Sequence, residues 1–200
     1  MKGEKMGKIE KGNAVYYIYG KGDMQAMKRM DECADLCYEY NDLRPSDAGG
    51  RAKKLAEIFG CEYEGVNIHP PFYCDFGTNI RLGKNFFANY NTILLDGAAI
   101  TFGDDVLLGP NCGFYTNAHP VLPQQRKQFE YARPITVGSR VWFGAGVTVC
   151  PGVTIGDDCV IGAGSVVVRD IPSGTVAAGN PCRVLRPITE KDFMDISDML

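Results

Sequence analysis

The chain is 200 residues long, with 45% hydrophobic residues, 22% charged residues and a formal net charge of −3. That balance suits a soluble globular chain with one main core and lacks the basic face that nucleic acid calls for. No apolar run approaches the roughly 18 residues of a membrane span, and the polar start MKGEKMGKIEKGNAVYY has no apolar leader stretch, so a cytoplasmic protein is expected.

In chain order, residues 22–41 place Met24, Met27, Met30, Ala34, Cys37 and Tyr40 at three- and four-residue steps, which predicts one apolar helix face with Asp23 as N-cap. A second helix is expected from Pro45 or Ser46 to Gly60, around Leu55, Ala56, Ile58 and Phe59, with Gly49-Gly50 weakening its first turn. Residues 1–62 thus read as a small N-terminal helical domain. Cys33 and Cys37 lie at i, i+4, but no CxxC or neighbouring histidine completes a metal site, so no metal is expected there. With no export signal, most of the eight cysteines read as small buried hydrophobes rather than a disulfide framework.

From about residue 63 the chain keeps a beat of six. Val137, Phe143, Val149, Ile155 and Ile161 are spaced by six, most of them followed by glycine, and Val167 extends the series. Upstream, Leu82, Ala88, Leu94 and Ile100 step by six, and Phe102, Leu108 and Phe114 repeat this two residues out of register. Six is even, so strand alternation survives the repeat, whereas a helix cannot hold a face at that period. Repeats of this kind predict a parallel β-helix of hexapeptide coils over residues 63–187, with a glycine or other small residue suiting each sharp turn. The beat stops at TNAHPVLPQQRKQFEYARP, where an extended loop is expected over 120–133, and residues 188–200 read as a short tail, partly helical at best.

The two histidines differ in setting. His69 precedes Pro70-Pro71 at the start of the first coil and reads as structural. His119 stands where the coil breaks, and long loops on a rigid repeat are where function concentrates. Imidazole also titrates near neutrality, which suits a general base.

The stretches PFYCDFGTNIRLGKNFFANYNTILLD, ITFGDDVLLGPN, TNAHP and PITVGSRVWFGAGVTVCPGVTIGDDCVIGAGSVVVRDIPSGTVAAGNPCRV, with DLCYEYND near the N-terminus, closely resemble the maltose and galactoside O-acetyltransferases. The resemblance covers roughly residues 23 to 190. It implies a mainly β fold, a left-handed parallel β-helix capped by a helical hairpin, and transfer of acetyl from acetyl-CoA to a sugar or glycoside hydroxyl. On this resemblance His119 is the base, Asn89 positions acceptor and base, and Glu130 orients the imidazole. It places a backbone N–H of Ala145 at the developing oxyanion, and puts Trp142, Ala163, Val168, Arg169, Arg183 and Arg186 along the coenzyme. Asp75 matches an acceptor-contacting position, while Gly97 stands where some relatives carry an acidic residue. The same resemblance implies a homotrimer with sites between subunits and no metal requirement. Two alternatives remain beside it, and a third fails. A hexapeptide acetyltransferase acting on an antibiotic or amino sugar is disfavoured by the N-terminal helices. A β-helical carbonic anhydrase needs three zinc-bound histidines where this chain has two in all. A non-catalytic assembly module gives no reason for the matched polar residues.

Overall fold

The computed structural model describes residues 6–19 and 24–197, and Asp23, expected as a helix cap, lies outside them. The chain opens with a feature the sequence reading did not anticipate, an antiparallel hairpin of β1 (Met6–Lys11) and β2 (Ala14–Tyr19). Its two-residue turn, Gly12-Asn13, has Gly12 at φ 63°, the conformation that lets such a turn follow the strand twist.

Helix α1 (Met24–Asp42) and helix α2 (Ala48–Phe59) follow. The buried stripe of α1 runs through Cys33, Cys37 and Tyr40, with Met30 partly buried, while Met24 and Ala34 are exposed. The expected face is therefore rotated toward Cys33, because docking against the first coil selects the stripe. Helix α2 begins two or three residues later than expected. Asp47 caps it, accepting from the Gly50 N–H at 2.8 Å, and Gly60 closes it in the left-handed region at φ 74°.

The rest of the chain is a three-sided solenoid of short parallel strands, stacked in sheets of seven, five and four. The seven-stranded sheet ends in one antiparallel pair, Thr175–Gly179 with Cys182–Pro187. Strands alternate outward and inward, and the six-spaced residues form the core: Val137, Phe143, Val149, Ile155, Ile161 and Val167 are all buried. The residues four positions after the first five, Val141, Val147, Val153, Cys159 and Ser165, are buried as well. Ser165 tolerates this site because its hydroxyl donates to Gly162 O and accepts from Gly179 N.

The two-residue slip upstream has a geometric cause. Phe87 lies opposite Leu107 and Ile80 opposite Ile100, whereas Trp142 lies opposite Val160, so the early coils are two residues longer than the later ones. The extra residues sit in the corner between Leu94 and Phe102, which carries Asp96 and Gly97. The glycine after each inward aliphatic residue serves coil stacking rather than the turn itself. A Cβ on Gly144 would lie 2.6 Å from Ala163 N, and one on Gly103 would lie 2.7 Å from Ser139 N. The positive φ angles fall nearby at Asn85, Asp105, Arg140 and Asp158 instead, a corner ladder joined by Asn85–Asp105 and bidentate Arg140–Asp158 bonds.

The helices cover the open end of the solenoid. Asn41 donates to Phe72 O at 3.0 Å and accepts from Phe72 N at 2.8 Å, taking the place of a neighbouring strand. Tyr40 donates to Ile68 O, and Arg29 reaches Phe76 O and Ile58 O. An edge that could template aggregation is thereby closed. Residues 188–197 of the tail are exposed, with one 3-10 turn at Glu190–Asp192.

Candidate active site

His119 follows the strand Asn117–Ala118 at the point where the chain leaves the solenoid. The excursion is an ordered ribbon: a 3-10 turn at Pro123–Gln125, then the strand Phe129–Ala132 running back antiparallel to Asn117–Ala118. Arg126 holds the bend by donating to Pro120 O and Val121 O. The other edge of Phe129–Ala132 pairs with β2, so hairpin and ribbon make one four-stranded sheet over the solenoid corner.

This pairing sets Glu130 opposite Tyr17 and brings Glu130 Oε2 to 3.7 Å from His119 Nε2. That separation is too long for a hydrogen bond but close enough to stabilise an imidazolium. The His119 side chain is 56% exposed and that of Glu130 20%, so the ring opens outward while the carboxylate sits behind it. His119, Pro120, Val121 and Arg126 line an open depression of about 560 Å³.

Beside this pair lies the long corner. Asp96 is fully buried and accepts from the N–H groups of Asp75, Phe76 and Asn79, which pins the corner. Burial raises its pKa while those N–H groups oppose the rise. Asp75 is pushed up to about 6, first by burial and then by the charges of Asp96 and Glu130. Gly97 has no room for a side chain, since a Cβ there would lie 2.4 Å from Asn117 Oδ1, which accepts the Gly97 N–H at 3.2 Å. An acidic residue at 97 is incompatible with Asn117 as placed.

Tyr17 is the residue the sequence reading missed. It is buried, stacks on Phe76 at 6.5 Å and donates to Gly97 O. Burial, then Asp96, Glu130 and Asp75, hold its hydroxyl protonated. The signal available was the Gly12-Asn13 turn before the alternating Val15–Tyr19 run, a hairpin signature.

Asn89 follows the strand Phe87–Ala88; its Oδ1 accepts from Tyr90 N, and buried Thr92 donates to its carbonyl. No hydrogen bond or ion pair joins His119 to Asn89, Trp142 or Ala145 among the described residues. Ala145 and Ala163 stack on one exposed corner of successive coils, with Gly164 N donating to Ala145 O. Trp142 is 54% exposed on the outer face of the seven-stranded sheet, level with exposed Leu107. Val168 and Arg169 are exposed beside a polar depression shared with Arg133 and Asn13. Arg183 and Arg186 are exposed on the last strand, and Arg186 is already forked onto Asp192 at 2.6 and 2.8 Å, holding that carboxyl down at about 2. His69 makes edge contacts with Phe87 and Tyr90, a packing role.

Comparison with known proteins agrees with this architecture. Residues 134–169 match the bacterial transferase hexapeptide (six repeats) family model, and residues 18–61 match the maltose acetyltransferase hexapeptide capping motif. The galactoside O-acetyltransferase of Escherichia coli K12 is 46% identical over 158 residues, 78% of each chain. The crystal structure of a maltose O-acetyltransferase from Clostridium difficile 630 superposes with a TM-score of 0.82 at 44% identity, covering 84% of this chain and 90% of that one. A galactoside acetyltransferase solved in complex with coenzyme A gives a TM-score of 0.82 at 41% identity, covering 86% and 90%. A solenoid of hexapeptide coils, a matching helical cap and identity on this scale lead to one conclusion: the chain belongs to the maltose and galactoside O-acetyltransferase family, left-handed β-helix acetyltransferases built from hexapeptide repeats.

Proposed function

We propose that the protein transfers acetyl from acetyl-CoA to a hydroxyl of a sugar or glycoside, with His119 as general base. The observation that carries this is the setting of His119: an outward imidazole at the base of the ribbon, with the Glu130 carboxylate 3.7 Å behind it. A sugar hydroxyl is a poor nucleophile near neutral pH, so its proton must leave as it attacks the thioester carbonyl. His119 takes that proton, and Glu130 stabilises the imidazolium that results. Asn89 orients the acceptor, with Asp75 and the Gly97 corner forming the acceptor wall. The acidic group available at 97 in some relatives is absent here, so selectivity rests on Asp75 and on polar groups around it.

The coil corner fits a pantetheine arm in one testable respect. Ala145 and Ala163 present only methyl groups along it, and the Ala145 N–H donates no hydrogen bond among the described residues. That N–H is the donor proposed for the charge developing on the carbonyl oxygen. Trp142 and Val168 flank the arm, and Arg169 and Arg183 supply cations for the phosphates. Arg186 joins them by exchanging Asp192 for a phosphate, since both are anionic acceptors of the same fork. A homotrimer with sites between subunits accounts for the apolar outer row that exposes Leu107 and Trp142. Within residues 1–62 the two helices then serve as the cap and the hairpin as a support for the ribbon, with 63–187 as the catalytic scaffold carrying the 120–133 excursion and 188–200 as a tail.

The test is His119→Ala assayed by thiol release from acetyl-CoA against glucose, maltose, galactosides, glucosamine and chloramphenicol. Transfer should fall by about 100-fold or more, with melting temperature and calorimetric coenzyme binding retained. Unchanged turnover in this variant would refute the base assignment, and preference for chloramphenicol over every sugar would refute the acceptor class.

A further inference from the structure

Three thiols from two elements meet where the helical cap joins the solenoid. Cys33 and Cys37 project from α1 and Cys74 from the strand Phe72–Cys74, and all three are buried. Their ligand atoms lie within 4.8 Å of one another, with Cys33 Sγ 3.4 Å and Cys37 Sγ 3.8 Å from Cys74 Sγ. The sequence shows only the i, i+4 pair; the third sulfur arrives through the fold. We propose that Cys33, Cys37 and Cys74 form a structural site for one thiophilic divalent ion, Zn2+, that clamps α1 onto the first coil.

Geometry, charge and access each favour such an ion. Zinc–thiolate bonds of about 2.3 Å set sulfur–sulfur edges of about 3.8 Å in a tetrahedral site, close to the separations found here. A disulfide engages only two of the three sulfurs. One within the helix is excluded, because i, i+4 Cβ atoms stand about 5–6 Å apart while a disulfide needs about 3.5–4.5 Å. Three thiolates around a divalent ion carry one net negative charge, and the nearby Arg29 guanidinium, anchored on Phe76 O and Ile58 O, offsets it. Binding converts the thiols into three metal thiolates, releasing their protons to solvent with each ion bound. A depression of about 500 Å³ lined by Cys37, Tyr38, Asn41, Asp42, Tyr73 and Cys74 gives the ion a way in. It also leaves room for a water as the fourth ligand.

The site is distant in role from acetyl transfer, and its test does not rely on activity. Full-length protein, reduced and stripped with chelator, is titrated with Cd2+ as a thiolate reporter and then with Zn2+ in competition. One Cd2+ per chain should give a thiolate-to-metal charge-transfer band that Zn2+ abolishes. Cys37→Ala and Cys74→Ala should each weaken binding by about 100-fold or more, since even partners outside the ligand shell are worth about 10- to 100-fold. Cys61→Ala, at an exposed thiol, should leave it unchanged. Should either core variant fail to fold, calorimetry of the parent protein in buffers of different ionisation enthalpy must still show protons released on Zn2+ binding. Failure to bind at one ion per chain, binding that survives Cys37→Ala, or binding lost with Cys61→Ala would overturn the proposal. So would a Cys33–Cys74 disulfide in metal-free protein purified without reductant.

Discussion

At the scale of single residues, environment separates carboxylates that composition treats alike. Asp158, exposed and forked onto Arg140, titrates below its usual range, whereas Asp75 behind the ribbon titrates near 6 because burial and two like charges oppose its ionisation. The stability consequence follows from the sign of that shift. The folded state binds the Asp75 proton more tightly than the unfolded chain, so this contribution is complete below about pH 4. It is lost as pH rises through about 6. Asp75→Asn, neutral at every pH, should melt above the parent protein near pH 7.5 and converge with it below about pH 4. Thermal scans at the two pH values check this, and equal differences at both would contradict the shift. Gly97 makes the complementary point: its lack of a side chain is a packing match to Asn117 as well as a lost acidic group.

Among the elements, the hairpin changes the meaning of the loop. Within residues 120–133, which break the sequence repeat, the strand Phe129–Ala132 is held on both edges, by Asn117–Ala118 on one side and β2 on the other. Glu130 and Tyr17 are cross-strand partners, so the hairpin sets the position of the carboxylate behind His119. Val15→Pro, which removes a strand N–H facing Ala132, should loosen the ribbon without unfolding the solenoid. Limited proteolysis should cut within 120–133 about 10-fold faster or more, while the main melting transition moves by less than about 3 °C. A large drop in that transition would instead make the hairpin part of the global fold. Acetyl transfer should fall along with the ordering of Glu130.

Across the whole molecule, stability comes from inward side chains stacked coil on coil. Phe86, Phe102, Phe114 and Phe143 form a continuous run of ring contacts with centroids 4.9, 5.0 and 5.2 Å apart, joining coils on both sides of the excursion. Phe114 sits in the middle of this run and is fully buried. Phe114→Ala should cost about 3–5 kcal/mol of unfolding free energy, read from urea denaturation. A loss below about 1 kcal/mol would mean that the coils on either side are stabilised independently.

The sequence by itself determined the solenoid, because a six-residue period constrains every coil in the same way and local alternation then decides which side chains face inward. It also singled out the place where the repeat opens beside His119, and a resemblance strong enough to name the family. The tertiary structure alone decided which stripe of α1 is buried, that the early coils are two residues longer, and that the glycines answer to the coil beneath them. It alone brought Tyr17 to Gly97, Glu130 to His119, and Cys74 to Cys33 and Cys37. The physical reason is range: periodicity is written in neighbours a few residues apart, whereas these contacts join residues whose separation is spanned only when the coils stack and the hairpin pairs with the ribbon.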